Sequence, residues 1–170
     1  GSLPNDAGTV RLRHRSGAVQ FEVEYRDDGP WPAAADGAGP SLVLARPSYG
    51  ERDPKAWAAS ERVGGSPGGP EPDRDPALRS VVINELLAHT DPPQTDFVEL
   101  FNYSDAAVDL SGCGLTDDPA KPKFILPTNT LIEARGFLAF TEAQLGFALS
   151  AAGETVYLRS PDGTRVLDAV

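Results

Sequence analysis

The stretch GETVYLRSPDGTRVLDAV, residues 153–170, nearly repeats GTVRLRHRSGAVQFEVEY, residues 8–25. Thr9 matches Thr155, and Val10, Leu12, Arg13 and Gly17 match Val156, Leu158, Arg159 and Gly163 at the same offset. Each copy alternates apolar and polar residues on both sides of a Gly-bearing turn, the mark of a β-hairpin. Hairpins also converge on this pattern. Five identities at one offset without a gap favour duplication. The offset takes up most of the chain, which therefore reads as one unit plus a short overlap. It is cut out of phase with a tandem array, opening late in one unit and closing late in the next. Gly1-Ser2 reads as a cloning remnant.

Outward from the two hairpins, period-two strands are expected at Val10–Arg15 and Val19–Tyr25. Residues 27–40 are loop, rich in Gly, Pro and Asp. Trp31, between Pro30 and Pro32, is excluded from a central strand and expected to cap the core from outside. Ser41–Leu44 is a short strand, and Pro54–Ala59 reads as one helical turn. GGSPGGPEPDRDP, residues 64–76, cannot bury apolar area and marks a boundary. The expected organisation is a segment 1–63, a linker 64–79 and a domain 80–170. In the last, VVINELLA (81–88), FVELFN (97–102), Val108 to Leu110, Phe124 to Leu126 and Phe137 to Phe140 read as strands. Residues 90–96 are a loop. Thr141–Leu145 is a short helix with Thr141 as N-cap and Gln144 completing a capping box. Many short antiparallel strands at turn-bounded intervals predict an all-β sandwich or barrel.

Composition narrows the partners. The 170-residue chain carries a net charge of −10, which disfavours nucleic acid and anionic membrane. No apolar run approaches the roughly 20 residues of a membrane-spanning helix. The single cysteine, Cys113, excludes an intrachain disulfide.

Sites for chemistry are sparse. Ser66 lies in a G-x-S-x-G pattern, but a nucleophile elbow needs a strand before it and a helix after it, and linker flanks it here. His14, His89 and Cys113 lack zinc-ligand spacing, so Cys113 is expected as a small buried hydrophobe. Glu85 and Glu99 sit inside apolar strands, with Asp96, Asp117 and Asp118 at strand ends. Two readings compete for these acids. In one, Asn84, Glu85, Glu99 and Asn102 bond loop amides and pin the sandwich corners, while the aspartates cap turns. In the other, Asp96, Asp117 and Asp118 help to gather a calcium ion. The absence of a calcium-loop motif favours the first, and no cofactor is expected. Arg11, Arg13 and Arg15 share one face of a strand, either as an anion or partner contact or as a solvated face that resists edge pairing. Asn102-Tyr103-Ser104 is an N-glycosylation triplet.

INE (83–85), FVELFN (97–102), VDLSG (108–112), LTDD (115–118), PTNTLIEARGFLAF (127–140) and the closing hairpin resemble the lamin-tail domain, in its bacterial form. Tyr25, Pro30-Trp31-Pro32, Gly37-Ala38-Gly39, Ser41–Leu44, Trp57 and Ser66-Pro67-Gly68 resemble the exit section of the same family. The structural signature is then Trp31, Asn84, Glu85, Glu99, Asn102, Leu110, Gly112 and Gly153. Cys113 departs from the family's aromatic after LSG, and Ser66 replaces its Thr. The resemblance implies an immunoglobulin-like sandwich. Residue 170 stops before the second unit's own exit section, so a strand of that sandwich is expected to be missing. Ser41–Ala45 would fill it, by circular permutation within one chain or by a strand-swapped homodimer. The implied function is a non-catalytic interaction or adhesion module of a larger secreted or surface protein, with an unidentified protein partner. A calcium-stabilised spacer is the alternative, and a carboxylate-based hydrolase a distant third. Localisation follows from the resemblance alone.

Overall fold

The computed structural model describes residues 2–72, 76–88, 90–91 and 93–170. The opening hairpin pairs β1 (Ala7–Arg13) with β2 (Val19–Arg26). β1 stops at Arg13 rather than Arg15, because residues 14–17 close the turn. There the Gly17 N–H donates to the His14 carbonyl at 2.8 Å, with Gly17 in the left-handed region that suits glycine.

After a 3₁₀ turn at Ala33–Ala35, β3 (Pro40–Leu44) pairs with β4 (Trp57–Val63). The expected helical turn at Pro54–Ala59 is cut short. Asp53 caps a 3₁₀ turn at Pro54–Ala56, accepting from the Lys55 N–H at 2.9 Å, and Trp57 already begins a strand.

Within 76–170, β5 (Val81–Leu87) and β6 (Phe97–Asn102) are followed by three short strands: β7 (Val108–Asp109), β8 (Gly114–Thr116) and β9 (Phe124–Ile125). β10 (Leu131–Ile132), β11 (Phe137–Thr141), β12 (Tyr157–Arg159) and β13 (Val166–Ala169) complete the set. The one α-helix among the described residues, α1 (Glu142–Leu145), starts as its sequence predicts, the Gln144 Oε1 accepting from the Thr141 N–H and hydroxyl at 3.0 Å each.

The result is an all-β sandwich. One sheet runs β11–β6–β5 and the other β13–β12–β8–β9. Alternation in β6 turns Val98 and Leu100 inward, where they meet Leu110, Cys113, Leu115, Val156 and Leu158. Burying each such aliphatic chain contributes about 1.5–3 kcal/mol.

Two sequence expectations are corrected. β3 does not fill a strand position in 80–170; its partner is β4, with Leu42 opposite Ala59 and Leu44 opposite Trp57. The N-terminal segment reaches the sandwich through β4 and the Ala33–Ala35 turn instead. The Val63 N–H donates to the Thr164 carbonyl at 2.9 Å, and Ala34, Ala38 and Ala59 pack on Tyr157, Val166 and Ala169. Glu85, in turn, does not point inward. A bulge between Ile83 and Glu85 sends both Asn84 and Glu85 outward and returns Leu86 to the core side.

The two hairpins are alike in detail. Each has its register shift at the same repeat position, between Leu12 and Arg13 and between Leu158 and Arg159. Arg13 donates to the Gly17 carbonyl at 3.1 Å, and Arg159 donates to the Gly163 carbonyl at 3.1 Å. The turn bond from Gly17 to His14 returns as Gly163 to Ser160 at 2.9 Å.

Candidate functional site

The β5–β6–β11 sheet presents its outer face to solvent. Pairing aligns Val82, Phe101 and Phe137 in one row, Glu85, Glu99 and Ala139 in the next, and Leu87, Phe97 and Thr141 in a third. Odd positions of β6 face outward because even positions fill the core. Phe101 and Phe137 stack with ring centroids 4.5 Å apart, and Phe137 stays 58% exposed. Between the apolar rows, Asn84 Nδ2 donates to Glu99 Oε1 at 2.8 Å. The face is thus aromatic with an acidic centre.

The remaining predicted site residues hold local structure. Asn102 is fully buried, and its amide donates to the Ala106 and Glu133 carbonyls at 2.7 and 3.0 Å. Its Oδ1 accepts from the Ser104 N–H at 3.0 Å and the Ser80 hydroxyl at 3.1 Å. With the amide nitrogen so committed, the glycosylation triplet has no acceptor in the folded chain. Of the four residues named as corner pins, Asn102 bonds loop carbonyls from the buried end of β6, whereas Asn84, Glu85 and Glu99 lie on the outer face. Leu110 is in the core, and Gly112 takes a φ of +79° beside Pro161. Gly153 also takes a positive φ. Trp31 is buried against Trp57, at 6.2 Å between ring centroids, in the N-terminal segment.

The three aspartates serve separate loops. Asp96 accepts from the Thr90 N–H and hydroxyl at 3.0 Å each and from the Leu149 N–H at 3.3 Å. Asp117 pairs with Lys123 at 2.6 Å, which raises the lysine's pKa. Asp118 accepts from the Ala120 N–H at 2.8 Å. Among the described residues, no three His, Cys, Asp or Glu side chains are grouped to hold a metal. His89 lies outside the described residues. His14 is exposed, with Nδ1 2.9 Å from the Ser16 hydroxyl.

Among the described residues, the side-chain partner of Ser66 is Glu71. The Ser66 hydroxyl donates to Glu71, which also accepts from the Ser60 hydroxyl at 2.9 Å and the Glu61 N–H at 2.6 Å. Partial burial pushes the Glu71 carboxyl up, and these bonds, Ser66 foremost, outweigh it and hold the pKa low. The three arginines do not form a row. Arg11 pairs with Glu22, Arg13 caps its own turn beyond the bulge, and Arg15 sits in the turn.

A family model described as Lamin Tail Domain matches residues 74–170, more than half of the chain. The chain belongs to the lamin-tail-domain family. No curated protein and no solved structure matches it. The lamin-tail match spans both sheets of the sandwich and begins within the Gly/Pro-rich segment. The family match supports a non-catalytic, structural or interaction role for the lamin-tail module.

Two groups important to the lamin-tail module have no sequence signal. Asp168 Oδ2 accepts from the Ile83 N–H at 2.8 Å, bridging β13 to β5. Glu61 pairs with Arg165 at 2.7 Å and with Arg79 at 2.5 Å, tying β4 to the sandwich. Residues far apart in sequence meet in both, so no local pattern announces them.

Proposed function

We propose that this lamin-tail chain is a protein-interaction or adhesion module of a larger multidomain secreted or surface protein, with the sandwich in the immunoglobulin-like arrangement the family resemblance implies. The observation that carries the proposal is the aromatic outer face of β5–β6–β11, where Phe137 is largely exposed above Phe101. An aromatic cluster left in solvent on a sheet supports binding, because rigid aromatic side chains dominate interface energetics. Glu85 and Glu99 between the apolar rows, with the chain's net charge of −10, support a partner that offers Lys or Arg between apolar contacts.

Phe137→Glu tests this reading. Little stability should be lost, because the side chain is already exposed. Capture of extracellular proteins by the immobilised chain should be lost in the variant, and association of the captured partner should slow as salt rises. Equal capture by both chains would reject the face.

A further inference from the structure

The closing hairpin shows what its opening twin lacks. Val156 and Leu158 are 1% and 0% exposed in the sandwich core. Their counterparts Val10 and Leu12 are 38% and 62% exposed. The outer edge of β12 is paired with β8, Leu158 facing Leu115 and Arg159 facing Gly114, whereas β1 pairs only with β2 among the described residues. Arg159 also donates to the Pro119 carbonyl in the β8–β9 loop at 2.8 Å. Arg13 repeats the bond to its own turn glycine and shows no second carbonyl among the described residues. Trp57 covers part of the opening hairpin, packing on Phe21 at 6.4 Å between ring centroids. It leaves an open cavity of about 540 Å³ lined by Val10, Phe21, Val23, Tyr25, Leu42 and Trp57.

We propose that the open part of this face, Val10 and Leu12 with the outer edge of β1, is a docking site for the body of another lamin-tail unit. That body adds a strand equivalent to Gly114–Thr116 to β1 and a loop carbonyl equivalent to that of Pro119 to Arg13. The shared bulge, the shared arginine bond and the shared turn bond argue for this occupant, since a hairpin built to the same plan takes the same partner. Antiparallel pairing of β1 with β1 of a second copy about Leu12 is disfavoured, because it would set Arg11 opposite Arg13. The proposal is independent of the aromatic face on β5–β6–β11.

The test places a second copy of residues 76–154 directly before Thr9, so that the added body precedes β1 as residues 76–154 precede Thr155. The added body should fold, giving a second set of dispersed core signals. Amide exchange at Arg11, whose N–H lies on the outer edge of β1, should slow by about tenfold or more. Leu12→Asp should leave the melting temperature of the 170-residue chain unchanged, since Leu12 is exposed, and should unfold the added body in the extended chain. An added body that stays unfolded while the original sandwich remains intact would overturn the proposal. So would concentration-dependent protection of the Arg11 amide in the 170-residue chain, which would give the face to a second copy.

Discussion

Asp168 is where one side chain joins the two sheets. Its carboxyl takes the place of a ladder carbonyl for the Ile83 N–H, and burial raises its pKa, opposed by hydrogen bonds from Ile83 and Ala169. A raised carboxyl pKa means that the native state holds its proton to higher pH than the unfolded state does. This group's contribution to stability is therefore full below the ordinary carboxylate pKa and falls as pH rises through the raised value. Asp168→Asn keeps an oxygen acceptor and removes the charge. Denaturant unfolding across pH should find it at least as stable as the parent near neutrality, with the difference shrinking in acid. Asp168→Ala strands the Ile83 N–H and should cost about 1–3 kcal/mol in acid, and less as pH rises. A parent advantage over the Asn variant at neutrality that shrinks on acidification would contradict this assignment. Nothing in the sequence around Asp168 signals the role, because its partner lies more than eighty residues away. Asn102 was more legible, since a polar residue ending an apolar strand must find buried partners.

At the scale of elements, local pattern reported the strands that carry their own alternation. β2 alternates plainly, β6 and β11 are short apolar-rich runs, and the turn at Asp162-Gly163 is readable from its dipeptide. β4 was not legible. Its sequence WAASERV is alanine-rich and lacks strict alternation, and it is a strand because β3 and the sandwich receive it. The β5 bulge was hidden for a related reason. Strict alternation puts Glu85 inside, and one extra residue costs less than burying that carboxylate. β4 is anchored by Glu61, which neutralises the buried Arg165 and reaches Arg79. Glu61→Ala leaves Arg165 buried without an anion and should destabilise the chain by about 3 kcal/mol. The loss should be much smaller in an Arg165→Met, Glu61→Ala double variant, where no orphaned charge remains. Equal losses in both would mean that the pair contributes packing rather than charge compensation.

For the whole molecule, the repeat at the two ends was the most informative sequence feature, and the hairpins match in bulge, turn and arginine bond. The sequence could not disclose their different surroundings. β12–β13 closes a core, while β1–β2 leaves Val10 and Leu12 exposed on its apolar face. Stability should therefore be uneven. Native-state hydrogen exchange is expected to show β1 and β2 opening at lower free energy than β6, β8 and β12. Uniform protection across all five strands would mean that the opening hairpin unfolds only with the sandwich.

The last residue has a mechanical consequence. Val170 accepts from the Val156 N–H at 2.8 Å and donates to the Val156 carbonyl at 3.1 Å, closing the open end of the β12–β13 hairpin. Antiparallel ladder bonds lie across the strands. A pull on Val170 directed away from β12 meets them one pair at a time, as a zipper opens, rather than all together in shear. Under tension in that direction the C-terminal strand yields at low force, and the sandwich behind it loses the Asp168 tie before its aliphatic core is loaded.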